Sequence, residues 1–386
     1  MSRSRSAGLR RLAGLLLLGA CSEAPPEGGF TATGSVACEA AARSRWASSG
    51  RGYRKTAEYG LATSRWLGGL AGVAHAESVL VASDLSQPQV LILDPGLERA
   101  RSFGRSGDGP GELARFSPQM LSVTSPDWTA VRGDTIIVYD GERLSKFALD
   151  GRLLGYIARE GELARLAPWE SRLRATPEGV FFPIGGYRSP ETRRENPVPW
   201  SLKRLAGEKV YGVLDLSLPA LPRRQGGSTV QVGLQAVPLW DVHGGCVIAA
   251  DGQGRWLVRA TTDGVNRDRI PVRLPDPRRS EAEVAEERML AGQASPGGTK
   301  RPEPTALRRI QALIVDPDGF VWLLPVQPDW RAASELEVYL VSLATAETVV
   351  DTVPSFPKVF GSSGTYYGEI RGPDREVVLA RFDRVK

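Results

Sequence analysis

The feature that most constrains this chain is the stretch VLVASDLSQPQVLILDPGLERARSFGRSGDGPGEL, residues 79–113. One apolar run starts at Val79 and ends at Asp84, and a second spans Val90–Leu93 and ends at Asp94. The polar stretch between them is too short for anything but a hairpin. Pro95 and Gly96 turn the chain, Arg99–Phe103 makes a third strand, and a glycine-rich loop carries it onward.

The unit recurs. Thr135–Asp140 is followed by Leu144–Leu149 and, after Asp150-Gly151, by Leu153–Ile157. A third copy starts at Gly179 with its partner at Ser201–Leu205, and a fourth pairs Cys246–Asp251 with Trp256–Arg259. The fifth pairs Phe320–Leu324 with Leu336–Leu343, and the sixth pairs Thr365–Ile370 with Glu376–Phe382. Apolar stretches at Gly72–Ala74, Met120–Val123 and Leu313–Val315 are read as innermost strands preceding their units. A hairpin plus further antiparallel strands, repeated every few tens of residues, is the signature of a β-propeller. The expected fold is therefore all-β, a six-bladed β-propeller over residues 51–386. One short surface helix is expected as an insertion. Ser280 to Glu283 forms a capping box, and Gly292 ends a helix over residues 281–291.

Closing the ring poses a problem that the sequence itself exposes. The sixth unit offers strands near Lys358–Phe360, Thr365–Ile370 and Glu376–Phe382, and the chain as given then reaches Lys386 with no outer strand. An open edge invites aggregation. Part of Arg51–Leu67 is expected to supply the missing strand beside Glu376–Phe382.

The chain opens on an address. Arg3, Arg5, Arg10 and Arg11 precede an apolar run at Leu12–Leu18, then Leu18-Gly-Ala-Cys21. Residues 1–20 read as a secretory signal, and the run is too short to span a bilayer as a helix. The last four residues resemble a lipobox, which makes Cys21 the expected lipid attachment residue, and Ser22 after it resembles the signal for transfer to the outer membrane. Residues 21–50, rich in Ala, Ser, Gly and Arg, read as a flexible tether. The expected location is the cell envelope, lipid-anchored on the periplasmic face of the outer membrane.

Charge excludes one class of partner. The chain carries 49 basic and 44 acidic residues, and without the four arginines of residues 1–20 it is 45 against 44. A near-neutral chain lacks the concentrated basic face of a nucleic-acid binder. Arg193-Arg194 and Arg278-Arg279 read as solvated loop charges. With Cys21 assigned to lipid, an oxidising periplasm permits a disulfide between Cys38 and Cys246. His75 and His243 are the only histidines and no CxxC is present, so the usual zinc ligand sets are lacking.

The chain resembles the bacterial six-bladed β-propeller lipoproteins related to NHL-repeat proteins over roughly residues 70–385. The resemblance rests on Phe103-Gly-Arg-Ser-Gly-Asp-Gly-Pro-Gly-Glu112, similar to that family's FGxxGxGPGE turn. Val138–Asp140 to Asp150-Gly151, and Val315-Asp-Pro-Asp-Gly319 to Val321-Trp322, fit it as well. Residues 30–66 lack the apolar strand and Arg-Ile-Gly-like step usual before the first blade.

Candidate chemistry is sparse. Gly104, Gly107, Gly109 and Gly111 suggest a phosphate loop, but no Lys-Ser/Thr follows and no helix starts there, so glycines serving a tight connection between blades are preferred. Asp84, Asp94, Asp140 and Asp150 sit at strand ends, where aspartate accepts backbone hydrogen bonds more often than it binds metal. Asp241 and His243 share one strand face and could act as a base, against a structural pair at a blade edge. Asn196 and Asn266 are the only asparagines, which weakens a calcium lactonase reading. Trp128, Trp169, Trp240, Trp322 and Trp330 are the aromatics to watch: Trp322 is read as core, while Trp128, Trp169 and Trp330 are weighed as a ligand-stacking rim against packing between blades.

The expected function is a binding or scaffold module recognising a protein or a saccharide through loops on one face. The alternative is a propeller lyase or lactonase with a metal in the axial channel. No cofactor, catalytic residue or metal ligand is assigned, and nucleic acid is not an expected partner.

Overall fold

A computed structural model describes residues 52–60, 67, 70–76, 78–84, 89–107, 109–113, 129–139, 143–157, 163, 172–185, 198–218, 238–251, 254–275, 309–326, 334–361, 364–371 and 376–385. All of these fall in one compact unit. They form strands throughout, in six four-stranded antiparallel sheets. The protein is a six-bladed β-propeller. The helix expected at 281–291, the signal and Cys21 lie outside the described residues.

Strand β1 (Tyr53–Tyr59) comes first and is set aside for the last blade. Blade 1 is β2 (Leu70–Ala76), β3 (Val79–Asp84), β4 (Gln89–Leu93) and β5 (Ala100–Phe103). Blade 2 is β6 (Thr129–Arg132), β7 (Thr135–Tyr139), β8 (Leu144–Ala148) and β9 (Leu153–Ile157). Blade 3 is β10 (Arg174–Thr176), β11 (Gly179–Gly185), β12 (Val198–Ala206) and β13 (Lys209–Leu218). Blade 4 is β14 (Trp240–His243), β15 (Cys246–Ala250), β16 (Trp256–Thr261) and β17 (Arg267–Pro271). Blade 5 is β18 (Ile310–Val315), β19 (Phe320–Pro325), β20 (Leu336–Ser342) and β21 (Thr348–Val353). Blade 6 is β22 (Pro357–Phe360), β23 (Thr365–Arg371) and β24 (Val377–Arg384), completed by β1. The innermost strand of blade 2 is thus Thr129–Arg132 rather than Met120–Val123, which lies outside the described residues. An apolar run alone could not distinguish the two, because an innermost strand has one edge on the axis and needs few apolar residues.

The apolar pattern follows from how blades stack. Second strands are covered by a neighbouring blade on each side, so β11, β15 and β19 are buried almost end to end. A strand buried on both faces reads as a continuous apolar run rather than an alternation. Outermost β9 and β21 instead mix half-buried and exposed positions. The core is accordingly a set of clusters between blades. Val81, Val90 and Ile92 of blade 1 pack with Ile136, Val138 and Phe147 of blade 2. Ile137, Tyr139 and Leu144 meet Val180, Phe182 and Leu205 of blade 3. Ile248 and Leu257 of blade 4 meet Leu313, Val321 and Leu323 of blade 5.

The ring closes as the sequence requires. β1 pairs antiparallel with β24, from Tyr53 opposite Arg384 to Tyr59 opposite Leu379. Tyr53 inserts its ring 4.8 Å from Tyr366 and 5.8 Å from Trp322, joining blades 5 and 6. Burial pushes the Tyr53 phenol up to about 12, with Arg384 opposing that rise, so the ring stays neutral. Asp383 of β24 accepts hydrogen bonds from Thr56 of β1 and Thr365 of β23, both at 2.6 Å. Two truncated chains test the closure. One lacking residues 1–60, and so β1, should melt at least about 10 °C below one lacking only residues 1–49, as measured by circular dichroism, because it loses a strand's pairing and its aromatic packing. Equal melting temperatures would show that the ring does not depend on β1.

Candidate functional site

Strand polarity gives the disc two unlike faces. Within each blade the first-to-second and third-to-fourth links emerge on one side, and none of these is longer than Asp94–Arg99. We call this the turn face. The second-to-third and blade-to-blade links emerge on the other side and include every link of ten residues or more: 60–69, 104–128, 158–173, 186–197, 219–239, 272–309 and 326–335. Because Tyr53 lies opposite Arg384, the chain preceding β1 joins blade 6 at the turn face.

The turn face is held by its own aspartates. Asp94 Oδ1 accepts the backbone N–H groups of Glu98 (2.8 Å) and Arg99 (3.2 Å), holding a turn in which buried Leu97 takes a φ of 62°. Asp150 accepts from the Arg152 N–H at 2.9 Å and Asp263 from the Val265 N–H at 3.0 Å. Asp316 Oδ1 accepts from Phe320 N–H and Asp318 N–H, while Oδ2 accepts from the Trp322 indole at 2.8 Å. On the other face Asp251 accepts from the Arg255 N–H at 2.8 Å. Asp94 and Asp150 therefore have the structural role expected of them; Asp84 is fully buried and Asp140 lies outside the described residues.

The glycine-rich turn binds itself rather than a phosphate. The Glu112 carboxylate folds back, accepting the Gly109 N–H at 2.8 Å and the Arg105 guanidinium at 2.6 Å. Those two donors, the Gly109 N–H first, hold its carboxyl below the usual range. Arg143 donates to the Glu112 carbonyl at 3.0 Å, and the Gly111 N–H donates to Tyr156 at 3.2 Å. Gly111 has a φ of 77°, and a Cβ on Gly107 would fall 2.0 Å from the Glu112 carboxylate. The FGxxGxGPGE pattern is thus a closed connection in which the glutamate occupies the place an anion would take.

Near the axis the structure assembles a charged group that the sequence did not announce. Asp241, at the inner edge of blade 4, is 4 % exposed. Arg174 Nε of blade 3 donates to its Oδ1 at 2.7 Å, the Val315 N–H of blade 5 donates to its Oδ2 at 2.8 Å, and Arg172 stands 4.0 Å away. Arg172 also donates to the Leu313 carbonyl of blade 5 at 2.8 Å. Burial pushes the Asp241 carboxyl up, but Arg174, Arg172 and the Val315 N–H outweigh it and hold the group below the usual carboxylate range. Asp241 therefore ties three blades together and is engaged by arginine. No spacing motif marks such a group, because its members come from three separate blades. The nearest signal is Arg172-Leu-Arg174 beside a short strand.

The remaining candidates divide plainly. Trp322 is core as expected, and Trp240 is equally buried, so neither belongs to a ligand rim. Trp128, Trp169, Trp330 and Asn196 lie outside the described residues, while Asn266 sits in the exposed Thr261–Asn266 turn. His75 stacks on Tyr367 with ring centroids 6.0 Å apart, and burial lowers its pKa, favouring neutral imidazole. Among the described residues no group of three or more His, Cys, Asp and Glu is arranged to hold a metal.

No protein-family model matches the sequence, and no curated protein matches it. Several solved structures share its outline. A gluconolactonase from Xanthomonas campestris is 14% identical, with a TM-score of 0.43 over 92% of this chain and 99% of that one. A Bacteroides fragilis protein described as exported is 9% identical, with a TM-score of 0.48 over 87% and 95%. The nidogen/laminin complex is 12% identical, with a TM-score of 0.42 over 74% and 79%. These are distant likenesses, and the propeller assignment rests on the sheets themselves.

Two substitutions probe the buried carboxylates. Asp241→Ala leaves two largely buried guanidiniums without their carboxylate and should cost about 3–5 kcal/mol, the usual penalty for breaking a buried pair; urea unfolding measures it, and a loss below about 1 kcal/mol would show the group to be dispensable. Asp316 behaves oppositely with pH. Burial raises its carboxyl to about 6 against the pull of its donors, so the folded state holds a proton that the unfolded chain releases near the ordinary aspartate value of 3.8. Its contribution to stability is therefore present at low pH and lost as pH rises through that window. Relative to Asp316→Asn, the wild type should lose stability between about pH 4 and pH 6, which a difference series of unfolding curves will record.

Proposed function

We propose that this protein is a lipid-anchored, extracytoplasmic binding or scaffold module of the propeller lipoprotein type, which recognises a protein or a saccharide with the face bearing the long connections. The observation that carries the reading is the inequality of the two faces. On the turn face, short links spend their polar groups on their own backbone, and the chain carrying the lipobox joins there. A tether on that side turns the opposite face away from the membrane, and that face holds the long connections between strands. Connecting segments on a rigid scaffold are where binding residues concentrate. The outer-membrane periplasmic surface fits the Ser22 signal, and the basic n-region of residues 1–20 fits export.

The lactonase-like alternative needs converging carboxylate or amide groups at the axis. The charged group found there is one carboxylate ringed by arginines and a backbone N–H, which disfavours a divalent cation.

Cys21→Ser should move the full-length protein from the membrane fraction to the soluble fraction after a high-salt wash; continued sedimentation with membranes would remove the anchor from this reading. The binding face has its own test. A glycan array and an array of envelope proteins, probed with wild type, should give signals that survive Glu178→Lys and Glu208→Lys on the turn face. The same signals should vanish when residues 219–237 are replaced by a short Gly-Ser link. The reverse pattern would place recognition on the wrong face.

A further inference from the structure

Three aromatic side chains are exposed among the described residues, Tyr156, Tyr211 and Trp256. Two of them are capped from within the protein. The Arg143 guanidinium lies over the Tyr156 ring at 5.4 Å, and that of Arg204 lies over Tyr211 at 5.2 Å. The Trp256 indole, 37% exposed, has no ring contact, cation or hydrogen bond among the described residues. It opens β16 on the face bearing the long connections. It points away from blade 5, because the next residue, Leu257, packs into the cluster between blades 4 and 5. We propose that Trp256, with Arg273 beside it, is a subsite for a saccharide bearing carboxylates, the sugar ring stacking on the indole and a carboxylate pairing with the guanidinium.

The neighbours of Trp256 are fixed by the ladder. Trp256 stands opposite Pro271 of β17, so the residues two positions either side of Pro271 are its diagonal neighbours on the same wall. Such positions lie about 7–8 Å apart, within reach of long side chains. One of them is half-buried Arg269. On the other side the ladder runs past the strand, with the Val272 N–H donating to the Arg255 carbonyl at 2.8 Å. Val272 turns into the cluster between blades 4 and 5, so Arg273 emerges on the side of Trp256. Arg273 is exposed and makes no hydrogen bond or ion pair among the described residues, unlike Arg259 of the same blade, which both oxygens of Asp268 hold. Asp251, the described acid at this end of the blade, is turned into its own loop, where it accepts the Arg255 N–H. A bare aromatic platform thus stands beside a cation with no carboxylate set against it, and the ligand is expected to bring one. An indole buries the apolar face of a sugar ring while leaving its hydroxyls wet, and a guanidinium pairs with a carboxylate through two parallel hydrogen bonds. The subsite rests on the reading of this face as the binding face, and it narrows the ligand from a protein or a saccharide to an acidic saccharide.

The test uses the full-length protein in detergent, titrated in a calorimeter with tetragalacturonate, with neutral maltotetraose and with a hexa-aspartate peptide. Tetragalacturonate should bind at least about tenfold more tightly than either of the others. Trp256→Ala and Arg273→Gln should each weaken it about tenfold or more, and Arg273→Gln should also flatten the dependence of affinity on salt. Both residues are exposed, so both variants should melt within about 2 °C of wild type. Tetragalacturonate that fails to bind, or that both variants still bind as wild type does, would overturn the subsite. Equal binding of maltotetraose would overturn the need for a carboxylate, and tighter binding of hexa-aspartate, lost in Trp256→Ala, would make the patch a peptide site instead. In each of these cases array signals that depend on the long-connection face would leave the binding-face reading standing, whereas arrays silent for glycans and proteins alike would remove that reading as well.

Discussion

Everything in this molecule depends on closing the ring. A propeller blade buries both of its faces only when it has a neighbour on each side, so one unclosed junction exposes two faces at once. The described chain reaches Arg384 with three strands in its last blade, and β1 brings the fourth from the other end of the chain. That pairing spans most of the sequence and carries a large loop-closure entropy, so it needs more than ladder hydrogen bonds. The additional fastening comes from Tyr53, wedged among Trp322 and Tyr366, and from Asp383, which accepts from Thr56 and Thr365 across three strands.

Four other junctions reuse a second device, an arginine from one blade donating to a backbone carbonyl in a turn of the next. Arg101 donates to the Leu149 carbonyl between blades 1 and 2, and Arg132 to Pro177 between blades 2 and 3. Arg259 donates to Leu343 between blades 4 and 5, and Arg381 to Pro95 between blades 6 and 1. Arg259 is held for the task by both oxygens of Asp268, and Arg381 by Asp383. Turn glycines complete the fit. Gly264, at φ 76°, places its Cα where a Cβ would meet the Val213 carbonyl at 2.6 Å, so the turn of blade 4 seats directly on the outer strand of blade 3. A guanidinium suits this role because its forked donors reach a carbonyl and a carboxylate together.

The fold was legible because stacked blades leave a coarse signature. Second strands such as Val79–Asp84 and Phe320–Pro325 are buried on both faces and read as unbroken apolar runs, and the missing outer strand followed from counting. Innermost strands were harder. Thr129–Arg132 has a single apolar β-branched residue, and edge exposure to the axis relaxes the pattern that would reveal it. The polar interior was illegible for a different reason. Asp241 stood beside His243 in the sequence, and strand alternation put them on one face, but the partners that decide its chemistry, Arg174 and the Val315 N–H, sit in other blades. A pairing across blades has no local spacing for a motif to record.

The same arginines change what the basic composition means. A pI near 9.2 taken alone suggests a surface for anions. Yet Arg101, Arg132, Arg172, Arg174, Arg259 and Arg381 direct their guanidiniums to carbonyls or carboxylates of the protein itself, and on the turn face exposed Glu98, Asp134, Glu178, Glu208, Asp318 and Glu347 stand beside exposed Arg99 and Arg152. Much of the positive charge thus serves to hold blades together. The basic pI is therefore no measure of an anion-binding surface.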